Sequence, residues 1–232
     1  MKSGFVLAAA TAASLTMLAG AAQAAVALDA DLASPGVYFG SGNPNGHFTV
    51  VTADGVETGL RARPYPQVPV APVLANIYDV ALGNAISLDF SVNPSVTGDE
   101  VSLDDTTFGL SILNEATGLT AAFDPSAILD NAHDAAAAGG FQNSERFSFG
   151  FISIPMGGYN PNANNTFRVT LALSNVNGHT ITDRIWVNQG AGLEGFQIPA
   201  GIPEPTTWAL AMVGFAGMGV ALRRRRAAAA TA

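Results

Sequence analysis

Three histidines, His47, His133 and His179, are the only imidazoles in this 232-residue chain, and it has no cysteine. Nucleophilic or metal-assisted chemistry would have to be assembled from those rings, hydroxyls and carboxylates. The histidines stand far apart, beside turns or on a predicted helix, and read as solvated side chains. No H-E-x-x-H, G-x-S-x-G or Walker pattern occurs. Asp99, Glu100, Asp104 and Asp105 form the densest acidic cluster. They offer hard oxygen ligands of the kind calcium takes, but without the spacing and central glycine of an EF-hand loop, so they read as a solvated loop. A glycoside hydrolase needs two facing carboxylates; among 18 acidic residues some pair meets that by chance, so none is selected. Tyr38, Phe39, Tyr65, Tyr78, Tyr159 and Trp186 read as core or rim residues rather than as a sugar platform. No catalytic residue, metal ligand or cofactor site is assigned.

The sharper signals lie at the two ends. Lys2 precedes an apolar, small-residue run from Phe5 to Gly20, and Ala22-Gln23-Ala24 supplies the A-x-A pattern of a signal peptide cut after Ala24. Near the other end, Thr206 to Leu222 is 17 residues without a charge, about 25 Å as a helix. That is short for a hydrocarbon core of about 30 Å but within the tolerated range. Trp208 stands where an interfacial aromatic would anchor the span, and Arg223, Arg224, Arg225 and Arg226 hold its far end on the cytoplasmic side.

Between these ends, five arginines (Arg61, Arg63, Arg146, Arg168 and Arg184) face all 18 acidic residues, a net charge of −13. Nucleic acid, which demands the opposite sign, is excluded as a partner. Without disulfides the exported part must rely on a packed core, and roughly 178 positions suffice for one domain.

Alternation with period two predicts strands over Ile86–Val92, Thr166–Ser174, His47–Ala53, Val56–Arg61, Thr107–Leu113, Leu119–Phe123 and Ile181–Val187. Phe147, Phe149 and Phe151 alternate too, and a phase slip to Ile152 and Ile154 predicts a bulge near 150–152. Asn175 to Gly178 reads as a hairpin turn. Pro64 to Pro72, with four prolines, reads as an extended surface excursion. One helix is predicted, capped by Asp124, opened by Pro125, running through Ala127–Ala138 and ended by Gly139-Gly140. Leu88, Phe90, Val169 and Leu171 are expected in the core. The fold class is all-β, a sandwich or jelly roll with one short helix.

Ile202-Pro203-Glu204-Pro205-Thr206-Thr207-Trp208-Ala209, followed by the apolar span and the arginine cluster, resembles the PEP-CTERM sorting signal in its PEPxxWA variant. That resemblance implies recognition of Pro203, Glu204, Pro205, Trp208 and Ala209 by an exosortase-type membrane protease. Three internal blocks also look like recurrent features of a PEP-CTERM group without assigned activity. They are Tyr38–Gly46 leading into Gly59-Leu60-Arg61-Ala62-Arg63, then Asn160–Thr166, and finally Ile185-Trp186-Val187-Asn188. Members of that group often occur in bacteria that make exopolysaccharide and biofilm.

The expected organisation is a signal peptide (1–24), an exported β-rich domain (25–191), a linker (192–202), a sorting signal (203–226, with 206–222 membrane-spanning) and a cytoplasmic tail (227–232). The expected function is that of a non-enzymatic surface or extracellular-matrix protein. It would be exported through the secretion machinery, processed by signal peptidase, anchored transiently in the inner membrane, and then sorted outward, with exopolysaccharide as a candidate partner. A secreted carbohydrate- or calcium-binding module is the alternative, and a secreted hydrolase a further one.

Overall fold

The computed structural model describes residues 24–33, 44–66, 69–96, 101–133 and 139–190. Ten strands form two five-stranded sheets. The first sheet holds β1 (Ala25–Ala30), β2 (Phe48–Ala53), β3 (Val56–Tyr65), β5 (Ala85–Asn93) and β8 (Phe141–Arg146), in that order. The second holds β4 (Ile77–Val80), β10 (His179–Gln189), β9 (Asn165–Val176), β6 (Thr107–Asn114) and β7 (Leu119–Phe123). All neighbours are antiparallel except β4 and β10. Among the described residues no helix is long and apolar enough to cross a membrane. The predicted span at 206–222 lies outside them.

One core joins the sheets, because each strand sends alternate residues to the same side. Leu60, Ala62, Leu88, Phe90 and Val92 from the first sheet share it with Ile112, Val169, Leu171, Leu173 and Ile185 from the second. Leu88, Phe90, Val169 and Leu171 are fully buried, as the alternation requires. Two hairpins have two-residue turns with both central residues at positive φ, Asp54-Gly55 and Asn177-Gly178. That backbone matches the right-handed twist of the strands it joins, which is why Asp-Gly and Asn-Gly occur there.

Several sequence expectations are corrected. Over its described part, residues 124–133, the predicted helix shrinks to one 3₁₀ turn, Pro125–Ala127. Asp124 does cap it, its Oδ1 accepting from the Ser126 amide at 2.9 Å, but Ile128 is already extended. Asn131 donates to the carbonyls of Pro125 and Ser126, occupying acceptors that continued helix would need. Ala132 then pairs with Gln142 beside β8. Residues 134–138 lie outside the described residues. The phenylalanine repeat is not a bulged strand either: after Phe147 the chain turns into α1, a single helical turn at Gly150–Ser153. Pro64 and Tyr65 belong to β3, paired with Ile86 and Ala85, so the surface excursion starts later than expected.

Candidate functional site: the sorting signal and the buried arginine face

The outer face of the first sheet is not a solvated face. On β3, Glu57, Gly59, Arg61 and Arg63 alternate with the core residues Val56, Leu60 and Ala62. Register places Arg61 opposite Asp89 of β5, and Asp89 opposite Ser144 of β8. Arg61 and Asp89 are both 0 % exposed. Arg61 donates through Nε to Asp89 Oδ2 at 2.6 Å, and Arg63 through Nε to the same oxygen at 3.0 Å. Ser144 donates to the other carboxylate oxygen and accepts from Arg63 Nη2. One carboxylate therefore neutralises part of two guanidinium charges, and burial pulls the Arg61 pKa down while Asp89 holds it up. The planar fork suits this position, since it can serve several acceptors at once.

The same arginine joins the two halves of the first sequence block. Arg61 Nη1 donates to the carbonyls of Pro44 (2.7 Å) and Gly46 (2.6 Å), and its guanidinium lies 4.2 Å from the centre of the Phe48 ring. Asn45 exchanges two hydrogen bonds with the Leu32 backbone. Leu32 in turn sits over Gly59, where a Cβ would collide with the leucine side chain. Glu57 accepts from the Ala33 amide at 3.0 Å, and burial pushes its pKa up. Pro44, Asn45 and Gly46 are thus tied to the Gly59–Arg63 stretch of β3 as one structural unit. The two arginines spaced by two, with a lone aspartate in the alternating strand 86–92, were the sequence signal for it.

The later blocks are structural as well. Asn188 donates to Asp79 Oδ1 at 2.7 Å across the parallel β4–β10 pair, and Trp186 lies buried opposite Arg168. Gly83 donates to the Pro161 carbonyl, and Asn165 to Asn114 Oδ1.

The residues singled out for chemistry are dispersed. His47 meets Asp29 (2.6 Å) and His179 meets Asp54 (2.9 Å), both on the surface, while His133 contacts the Gly140 carbonyl. Asp104 and Asp105 are exposed, and Asp99 and Glu100 lie outside the described residues. Among the described residues no three acidic or histidine side chains converge as a metal site. Tyr78 is enclosed in the core, donating to the His47 carbonyl at 2.8 Å. Trp186 is buried, Tyr159 half-buried and Tyr65 exposed, while Tyr38 and Phe39 lie outside the described residues.

Besides Glu57, two more buried carboxyls carry raised pKa values. Glu145 is pushed up to about 7, by burial first and the Asp130 carboxylate second. A carboxyl protonated near neutrality is what general-acid catalysis uses, but Glu145 is only 4 % exposed. Asp183 projects from β10 into the core beside Ile181 and Ile185, fully buried and without a side-chain partner. Burial raises its pKa well above the usual range, opposed by the Arg184 amide.

Asp183 has a consequence for stability. Below about pH 4 both folded and unfolded chains hold the proton, and the contribution is at its full value. As pH rises further the unfolded chain releases it while the folded chain keeps it, so stability falls until the folded pKa is passed. Glu145 and Glu57 act in the same direction. Stability should therefore decline from pH 5 to pH 8, and Asp183→Val should gain on the order of 1–3 kcal/mol at pH 8, with less at pH 5. Calorimetry at both values checks this. A flat wild-type profile, or a variant less stable at pH 8, would contradict it.

The sorting residues Pro203, Glu204, Pro205, Trp208, Ala209 and Arg223 to Arg226 lie outside the described residues, as does Ala22, and Ala24 is exposed just before β1. Neither the curated proteins nor the solved structures contain a significant match. Residues 201–226 match the family model for the PEP-CTERM protein-sorting motif. The chain therefore carries a PEP-CTERM sorting motif and is an exported protein addressed to an exosortase-type enzyme.

Proposed function

We propose that this is a non-enzymatic surface or extracellular-matrix protein, with the β-rich domain of residues 25–191 as its working part. Signal peptidase removes residues 1–24, a linker at 192–202 leads to the sorting signal, and residues 206–222 hold the precursor in the inner membrane with 227–232 in the cytoplasm. An exosortase-type enzyme then recognises Pro203, Glu204 and Pro205, together with Trp208 and Ala209, and sends the domain outward. The observation that carries this reading is the match at 201–226. The non-enzymatic reading is supported by where the raised carboxyls lie, Asp183 inside the core and Glu145 closed over at a sheet edge. Polysaccharide of the surrounding matrix is the partner class we favour, over calcium.

Mass spectrometry of both termini, on protein from the surface and culture fractions of the native host, tests the route. The mature form is expected to begin at Ala25 and to lack Arg223 to Arg226. A mature form that begins elsewhere, or keeps the arginines, would sink it.

A further inference from the structure

Among the described residues, the exposed aromatic side chains are Tyr65 (41 %) and Phe151 (48 %), and both belong to one ladder on the molecule's flank. Tyr65 ends β3 and Arg146 ends β8, on the same outer face of the first sheet. The Arg146 guanidinium lies 4.6 Å from the Tyr65 ring centre and 4.5 Å from that of Phe149. Phe149 and Phe151 are within 23° of parallel with centres 6.2 Å apart, and Phe151 meets Phe123 of β7 edge-on at 5.2 Å. The phenylalanine repeat, which makes no strand, supplies half of this ladder, and α1 holds Phe151 in place.

Arg146 has no carboxylate within ion-pair distance among the described residues, in an exported segment with a net charge of −13. Its guanidinium lies over both rings, while its N–H donors have no acceptor from the described chain. Aromatic rings with an apolar body and a fixed donor between them suit a ligand that offers C–H faces and hydroxyl acceptors together. Pyranose rings have that chemistry. Net charge chooses among them: an acidic polymer would be repelled by the excess carboxylates as it approached, whereas a neutral one meets no such barrier.

We infer that Tyr65, Arg146, Phe149 and Phe151 form a binding strip for a neutral polysaccharide. The inference rests on reading the chain as an exported surface or matrix protein, and it gives that protein a ligand. The test is native electrophoresis of the mature protein in gels containing hydroxyethyl cellulose, dextran or galactomannan, with alginate and polymer-free gels alongside. Mobility should drop in at least one neutral gel and not in alginate. Arg146→Ala and Phe151→Ala should each weaken retardation at least tenfold while circular dichroism stays as in wild type. Tyr65→Ala, at the exposed end of the ladder, serves if Phe151→Ala fails to fold. Unchanged mobility in every neutral gel, retardation in alginate alone, or retardation that survives the substitutions would overturn the strip. So would concentration-dependent dimers that these substitutions break without any retardation, since the ladder would then join two copies. Those results leave the termini of the mature protein unaffected, so failure here is distinguishable from failure of the sorting route.

Discussion

Asp89→Ala is expected to destabilise the domain by about 3–5 kcal/mol, because removing one partner of a buried ion pair leaves the other charge uncompensated. Here two guanidiniums are left, Arg61 fully buried and Arg63 nearly so. For a domain of this size that lowers the melting midpoint by on the order of 10 °C. Asp89→Asn keeps the shape and one acceptor, and should fall between wild type and alanine. The loss should reach the loop that Arg61 secures, so amide exchange at Gly46 and His47 should speed up. Glu115→Ala supplies the contrast. Its partner Arg168 stands 3.7 Å away with both side chains more than a third exposed, and such surface pairs contribute roughly 0–1 kcal/mol. If thermal unfolding finds the two alanine variants equally mild, the buried arginine face does not organise the sheet.

Much of the β architecture was legible as alternation, and the misses have physical reasons. β9 and β10 read clearly because each faces the core on one side only through much of its length, and β5 because its outer face, though buried, is polar (Ser87, Asp89, Ser91). β1 gave little signal: its first five residues, 25–29, are exposed, with Val26 at 62 %, and its apolar residues are mostly alanine. β4 has only four residues, three of them buried, too short for any period. β8 reads Phe-Gln-Asn-Ser-Glu-Arg, and its polar residues match the already polar outer face of β5 on one side and a sheet edge on the other. The stretch from Ala127 to Ala132 reads as helical in the sequence, which is a weak prior against tertiary pairing, and the Ala132–Gln142 bridge prevailed. In the site, both arginines and Asp89 were visible as residues, but their pairing depends on the register of three strands distant in sequence.

The sorting signal is the reverse case, legible from local sequence because its physics is local. Pro203 and Pro205 fix their own φ and disfavour helix at the residues before them, and from this the sequence predicts an extended segment around Glu204 that a protease can grip. The 17-residue uncharged run behind it is marginal in length for the proposed span, and Gly214, Gly217 and Gly219 lower its hydrophobicity and would permit close approach of another helix. Moving Arg223 to Arg226 through the bilayer opposes release by on the order of 10 kcal/mol for the four together. On the proposed route the domain therefore leaves the inner membrane only if the chain is cut. Pro203, Glu204 and Pro205 replaced together by alanine should abolish sorting while leaving export intact, an all-or-none change. The decisive measurement is fractionation of that triple variant beside wild type in the native host, with intact-mass analysis of each fraction. The expected result is uncleaved chain, still carrying Arg223 to Arg226, confined to the inner membrane while wild type appears shortened at the surface or in the medium; a triple variant that matures and distributes like wild type would contradict the account.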